Sequence, residues 1–186
     1  MNTFRSEHSF SCFAACLSMT TFNLTDIMVS QKNICDFLGL GLPNDSIDLI
    51  AKLDLKNVFV TDNSKEWGLD VDTTKINDLL LNYNVPLVCE FKSTLEFFDF
   101  EFDEYLTGLT TENKYPIIGF DYGYYTNGNN SEVYGHTIVG LAVKQQSLTA
   151  FDPGPKLFGV KNYDLYDIFV ASKRKKGGIW SLKKKL

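Results

Sequence analysis

The 186-residue chain lacks several features that would have decided its class at once. No run of about 18 apolar residues occurs, so no segment is expected to span a membrane. Basic charge is not in excess. Lys and Arg number 18 against 23 Asp and Glu, for a net charge of −5, which argues against nucleic acid as a partner because phosphate neutralisation needs a basic footprint. Repeats are absent, and the only biased stretch is the turn-rich Asn127–Ser131. Histidine occurs twice, as His8 and His136. His8 with Cys16 and Cys35 matches no zinc-finger spacing, so no metal is expected. The Gly39-x-Gly41 pair follows a helical pattern rather than a strand and lacks the later glycine of a dinucleotide loop, so no cofactor is expected either. Glu7 and a cysteine motif already under way at residue 12 leave no room for a cleavable signal peptide, and a cytoplasmic location is the expectation. In that setting Cys12, Cys16, Cys35 and Cys89 read as thiols and not as a disulfide framework.

What is present suffices for one core. With 44% hydrophobic residues, the chain is expected to fold as a single domain over residues 1–172, followed by a basic tail at 173–186. That tail holds seven of the 18 basic residues, leaving eleven against all 23 acidic ones elsewhere. Its charge suits an acidic partner.

Small and apolar residues from Ser11 to Phe22, free of Gly and Pro, predict a buried helix with Ser11 as N-cap and Cys12 in its first turn. A second helix is expected over 25–38, stopped by Gly39. Asp45 is placed to cap a third over 45–53, and Thr73 or Thr74 to open a fourth. From Val85 onward the texture changes to short β-branched or aromatic runs opened by Pro86 and Pro116. The stretch 95–105 fits strand, helix or a mixture of the two. Residues 135–143 and 147–151 form a hairpin pattern, and 160–170 with 178–182 are expected to add edge strands. The class is therefore α+β, with N-terminal helices packed on a C-terminal antiparallel sheet.

Three positions carry chemistry. A thiol attacks as thiolate, and its ordinary pKa near 8.5 is lowered by a helix N-terminus and by a neighbouring imidazolium. Cys12 has the first, His136 can supply the second, and Asp152 can orient the imidazole from the far side. If the hairpin reverses near Lys144, positions 136 and 152 face each other across the two strands.

The pattern Cys12-x-x-Ala15-Cys16-Leu17-x-Met19, then Gly135-His136, then Asp152-Pro153, resembles the bacteriocin-processing (double-glycine leader) peptidases and their papain-like relatives. The resemblance implies a papain-like cysteine peptidase fold, a peptide substrate, Cys12 as nucleophile, His136 as general base and acid, and Asp152 as the orienting residue. It also puts Phe13 and Gly135 at substrate-binding positions. Two departures stand out. Phe13 occupies a place usually held by Gly, where its ring should narrow the site. Ser6 stands where the family has a Gln that completes the oxyanion hole with the cysteine's own N–H, leaving Ser6, His8 or Ser9 as candidate donors. Asp36–Leu42, Pro116–Tyr125 and Gly135-His136 are similar to the N-terminal domain of butirosin biosynthesis protein H. That likeness implies the same chemistry turned to acyl transfer from an acyl-carrier-protein thioester to an amine.

Overall fold

The computed structural model describes residues 1–8, 10–43, 54–61, 68–128 and 135–185. The helix expected over 45–53 and the oxyanion candidate Ser9 lie outside them.

Helix α1 spans Cys12–Thr25, and every residue from Phe13 to Thr21 is buried whichever way it points. A helix enclosed on all sides belongs in the middle of a fold. Small residues at Ala14, Ala15 and Ser18 let its neighbours approach. It runs three residues beyond the expected end and stops at Asp26, whose φ of 61° is left-handed. The second helix therefore begins late. Ser30 caps α2, Gln31–Leu38, by accepting from the Asn33 N–H at 3.2 Å. A small sheet follows, with β1 (Leu40–Pro43) parallel to β2 (Val58–Thr61) and antiparallel to β3 (Gly68–Leu69). Helix α3, Thr73–Asn82, starts at an Asp72 cap that accepts from Thr74 and Lys75.

The large sheet is built from β4 (Leu87–Ser93), β5 (Ile117–Asp121), β6 (Gly135–Lys144), β7 (Ser147–Asp152), β8 (Gly159–Asp164) and β9 (Gly178–Lys184). Its order is β4-β9-β5-β6-β7-β8, and each neighbouring pair is antiparallel. Side chains alternate between its faces. Ile117, Val139, Phe151, Trp180 and Leu182 join α1, α2 and α3 in one core, while Ile118, Phe120, Ile138, Ala150 and Ile179 join α4 (Asp99–Thr111) and α6 (Leu165–Arg174) in a second. The N-terminal helices thus cover one face, as expected. The other face is closed by helices from the C-terminal half.

Several elements differ from the reading of the sequence. The ambiguous stretch 95–105 is a 3₁₀ turn at Thr94–Glu96 followed by α4, which Glu101 opens by accepting from the Phe98 N–H. A short helix, α5 (Tyr122–Asn127), follows β5 and is capped by Asp121. Within 160–170 only the first part is strand. Asp164 caps α6 through the Asp167 N–H at 3.0 Å, and burial of Leu165, Ile168, Phe169 and Ser172 follows the helical period.

The segment set apart as a basic tail carries the largest correction. Its residues 178–184 are not at an edge but form β9, paired with β4 on one side and β5 on the other. Gly178 to Leu182 are all buried; the lysines on either side had drawn attention to charge and away from the apolar centre. Two glycines permit the approach. A Cβ on Gly177 would lie 2.5 Å from the Gly119 carbonyl oxygen, and one on Gly178 would overlap the Lys92 carbonyl.

Trp180 ties these layers together. Its ring meets Phe13 edge-on at 5.1 Å and Phe91 at 4.8 Å, and its Nε1–H donates to the Val71 carbonyl at 3.3 Å. Trp180→Ala is expected to cost about 3–5 kcal/mol of stability, read as a shift in the urea midpoint; a change under about 1 kcal/mol would contradict this account of the core.

Candidate active site

The site forms where the start of α1 meets the start of β6 and the end of β7. Cys12 is partly accessible in the first turn of α1. Ser11 sits at the N-cap position, yet its hydroxyl makes no cap bond. It is engaged upstream instead, accepting from the His8 N–H at 3.0 Å and lying 2.9 Å from the Ser6 hydroxyl. The positive end of the helix is thus left uncapped by a side chain, in the turn that carries the thiol.

His136 is the second residue of β6. Its Nε2 lies 2.9 Å from Asp152 Oδ1, and the ring stands near enough to the Cys12 thiol for each to shift the other's pKa. The hairpin behind this contact differs from the simple one expected. It reverses at Gln145-Gln146, both at positive φ as a tight two-residue turn requires, and a bulge falls between Gly140 and Ala142. Val139 then faces Phe151, so His136 and Asp152 are diagonal neighbours, not opposite ones. The imidazole bridges that diagonal.

Asp152 is fully buried, and its carboxylate is supplied with donors on both oxygens. Oδ1 also accepts the Gly154 N–H at 2.8 Å, and Oδ2 accepts the Tyr163 hydroxyl at 2.6 Å. Burial works to raise its pKa, but the bonds from His136, Tyr163 and Gly154 hold it below the usual carboxylate range. Tyr163, on β8, was missed in the sequence because no motif marks it. The one available signal was its place on the strand expected to follow the Asp-Pro corner.

The pKa shifts of the pair run in opposite directions. For Cys12, burial pushes the thiol up, but the hydrogen bond and charge of His136 outweigh it, with help from Thr137 and Lys175, bringing the thiol down to about 7. For His136, burial disfavours the charged ring, yet Asp152 and the Cys12 thiolate raise it to about 9. Between those values the stable form is thiolate with imidazolium. The other three thiols move the opposite way. Burial pushes Cys35 and Cys89 up to about 12 and also raises Cys16 well above its ordinary value, and the Cys16 thiol donates to the Thr137 carbonyl at 3.5 Å.

The remaining candidates are placed elsewhere or occupied. Ser6 is buried; its hydroxyl donates to the His8 carbonyl and its N–H to the Pro153 carbonyl at 2.8 Å, so it pins the N-terminal segment beside Asp152 and offers no free donor. The His8 ring stacks on Phe10 at 5.1 Å. Phe13 does not line the site: its ring is buried against Trp180, because one residue past Cys12 the helix turns its side chain into the core. Gly135 does stand at the site, directly before His136, with the Lys175 ammonium against it. Lys175, at the C-cap of α6, is a charged neighbour that the reading of 173–186 as a tail had hidden. Among the described residues no cluster of His, Cys, Asp and Glu could hold a metal ion, and no helix is long and apolar enough to cross a membrane.

No protein-family model matches the sequence, and no curated protein matches it. Its shape does match. The chain is similar over its whole length to 96% of a crystal structure described as a "putative C39-like peptidase from Bacillus anthracis", with a TM-score of 0.63 at 14% identity. The fold is accordingly the α+β papain-like cysteine peptidase fold.

Two measurements probe this geometry. Removing the imidazole leaves the thiol with burial as its main perturbation, so in His136→Ala the Cys12 titration, followed by thiolate absorbance, should move from about 7 to above 9. Tyr163→Phe strips one donor from a buried carboxylate and should cost about 1–3 kcal/mol in denaturant unfolding; an unchanged midpoint would show that the hydroxyl is not holding Asp152.

Proposed function

We propose that this chain is a cysteine hydrolase of peptide or amide bonds, with Cys12 as nucleophile, His136 as acid and base, and Asp152 as the residue that orients and charges the imidazole. The observation that carries the reading is the contrast among the four thiols. Cys12 alone is drawn down, and it is the one whose shift comes from an imidazole that is itself held by a buried carboxylate. The shape shared with the Bacillus anthracis protein supports a peptidase at the level of fold.

In the proposed cycle, the Cys12 thiolate adds to the scissile carbonyl carbon and the carbonyl π pair moves onto oxygen. The Cys12 backbone N–H, one of the first-turn amides of α1 that lack an intrahelical acceptor, receives that oxyanion. Collapse of the adduct expels the amine, which takes its proton from the His136 imidazolium, and a thioester remains on Sγ. Neutral His136 then removes a proton from water as the water oxygen attacks the thioester carbon. Departure of Sγ releases the acid and restores the thiolate, with the proton kept on His136. An amine in place of water would turn the second half into acyl transfer. Ser6, at the position where the resembled family has a Gln, has its hydroxyl committed to the His8 carbonyl, so transition-state stabilisation rests more heavily on backbone donors.

The test uses the full-length protein with iodoacetamide at pH 7.5 and intact-mass detection. One adduct is expected, on Cys12, and none in Cys12→Ala. Labelling of Cys16, Cys35 or Cys89 at the same rate would overturn the assignment. The sign of the pH dependence follows from the shifts: turnover needs thiolate, gained as pH rises through about 7, and imidazolium, lost as pH rises through about 9. A bell-shaped kcat/KM profile between those limits is therefore expected with any peptide or thioester substrate the enzyme accepts, and acceleration by added amine would identify transfer.

A further inference from the structure

Lys175 is a basic residue at the site that the proposed cycle does not use. It follows α6 as its C-cap, so its backbone is held by bonds to the Ala171 and Lys173 carbonyls. Its side chain crosses to the start of β6, where a Cβ on Gly135 would overlap the Nζ. The ammonium therefore lies against the residue preceding His136. The residue as a whole is exposed, the protein around its ammonium lowers its pKa, and its charge acts on the Cys12 thiolate and on Asp121. Its neighbour Arg174 is committed, with Nε 3.1 Å from Asp121 Oδ2. Lys175 forms no ion pair among the described residues.

An exposed cation that forms no salt bridge among the described residues, whose side chain reaches the residue before His136 and whose charge is felt at the thiol, is arranged to receive an anion. Glycine at 135 is what gives it room. We infer that Lys175 is a specificity residue that selects acyl substrates bearing a carboxylate or other anionic group beside the scissile carbonyl, such as an acidic side chain or a free chain terminus next to that bond. The inference rests on Cys12 being the nucleophile. Two like charges, the Lys175 ammonium and the His136 imidazolium, would then face such a substrate from adjacent points, the first binding the anionic group and the second protonating the leaving amine.

Two small alkylating agents separate this role from a general one. Iodoacetate and iodoacetamide both place a CH₂ on Cys12 Sγ with loss of iodide, and they differ in carrying or lacking a carboxylate. The ratio of their second-order rates, measured at pH 8 and low salt on the full-length protein, reads anion selection directly. Lys175→Met should lower the ratio about five- to tenfold, the scale set by removing one unit charge a few ångströms from the carboxylate at an intermediate dielectric. Lys175→Arg should retain most of it, and Gly135→Ala, which displaces the ammonium without removing it, should lower it as Lys175→Met does. Salt should shrink the wild-type ratio toward that of Lys175→Met. If Lys175 only stabilises the thiolate, both rates fall together, the Cys12 titration moves up and the ratio stays constant; that result overturns the inference while leaving Cys12 as nucleophile. Absence of any Cys12 adduct in the unmutated protein would overturn both. Circular dichroism of each variant separates loss of selection from loss of fold.

Discussion

A fully buried carboxylate is the constraint around which the site is arranged. Asp152 has no exposed surface, and an ionised group in that position is tolerated only if its oxygens are given donors. Three are provided, from β6, β8 and the turn after β7. Each also does something else. The His136 bond orients the imidazole toward Cys12, the Tyr163 bond ties in β8, and the Gly154 N–H bends the chain so that the Pro153 carbonyl can accept from Ser6. Ser6 in turn belongs to the network of Ser11, His8 and Gln31 that holds the segment leading into α1. The carboxylate is therefore linked by a short chain of hydrogen bonds to the residue before the thiol. Neutralising Asp152 would disturb the imidazole and the position of the thiol together.

The same economy is seen at the helix. A Ser before a helix ordinarily accepts from an amide of its first turn. Here Ser11 holds the incoming segment instead, so the field at the helix start is left to act on Cys12. The all-round burial of α1 compensates for that missing cap, because packing against the sheet and α2 holds the helix whatever happens at its end. Phe13 belongs to this arrangement. The residue after a nucleophile is often small so that substrate can approach, but Phe13 turns away and meets Trp180, adding core where the first turn would otherwise be weakly held.

The parts of this molecule that could be read from sequence share a property: their signal is local. Cys12 at the head of an apolar helix, Gly135-His136 at the head of a strand, and Asp152-Pro153 one strand later are short patterns, and the structure brings those residues together. The α+β class followed from helical periods early and strand-like runs late. What could not be read depends on pairing between distant segments. Nothing in the stretch 178–184 says that it inserts between β4 and β5, since partner choice is set by the whole sheet. Tyr163 becomes a donor to Asp152 only because the β7–β8 register brings its strand alongside. The bulge that makes His136 and Asp152 diagonal is likewise a property of the folded hairpin. In 173–176 and 183–185, charge concealed packing: a reading that weighs net charge first treats such residues as solvated, although five consecutive residues between them are core.

Net charge also misleads about the site. The chain as a whole is acidic, yet the groups gathered around the thiol include His136, driven toward its charged form, and Lys175, with Arg174 close behind it on Asp121. Interactions between charges in partly buried surroundings are screened far less than those across open solvent, so the field at Cys12 is set by these few neighbours and not by the excess of carboxylates on the surface. An acidic exterior with cationic groups gathered beside the thiol has a further physical consequence. Polyanions are repelled at long range, whereas a small substrate with one negative group feels attraction only once it is inside the site. Selection of that kind depends on the position of one flexible lysine, and the glycine beneath it leaves that lysine room at the start of β6.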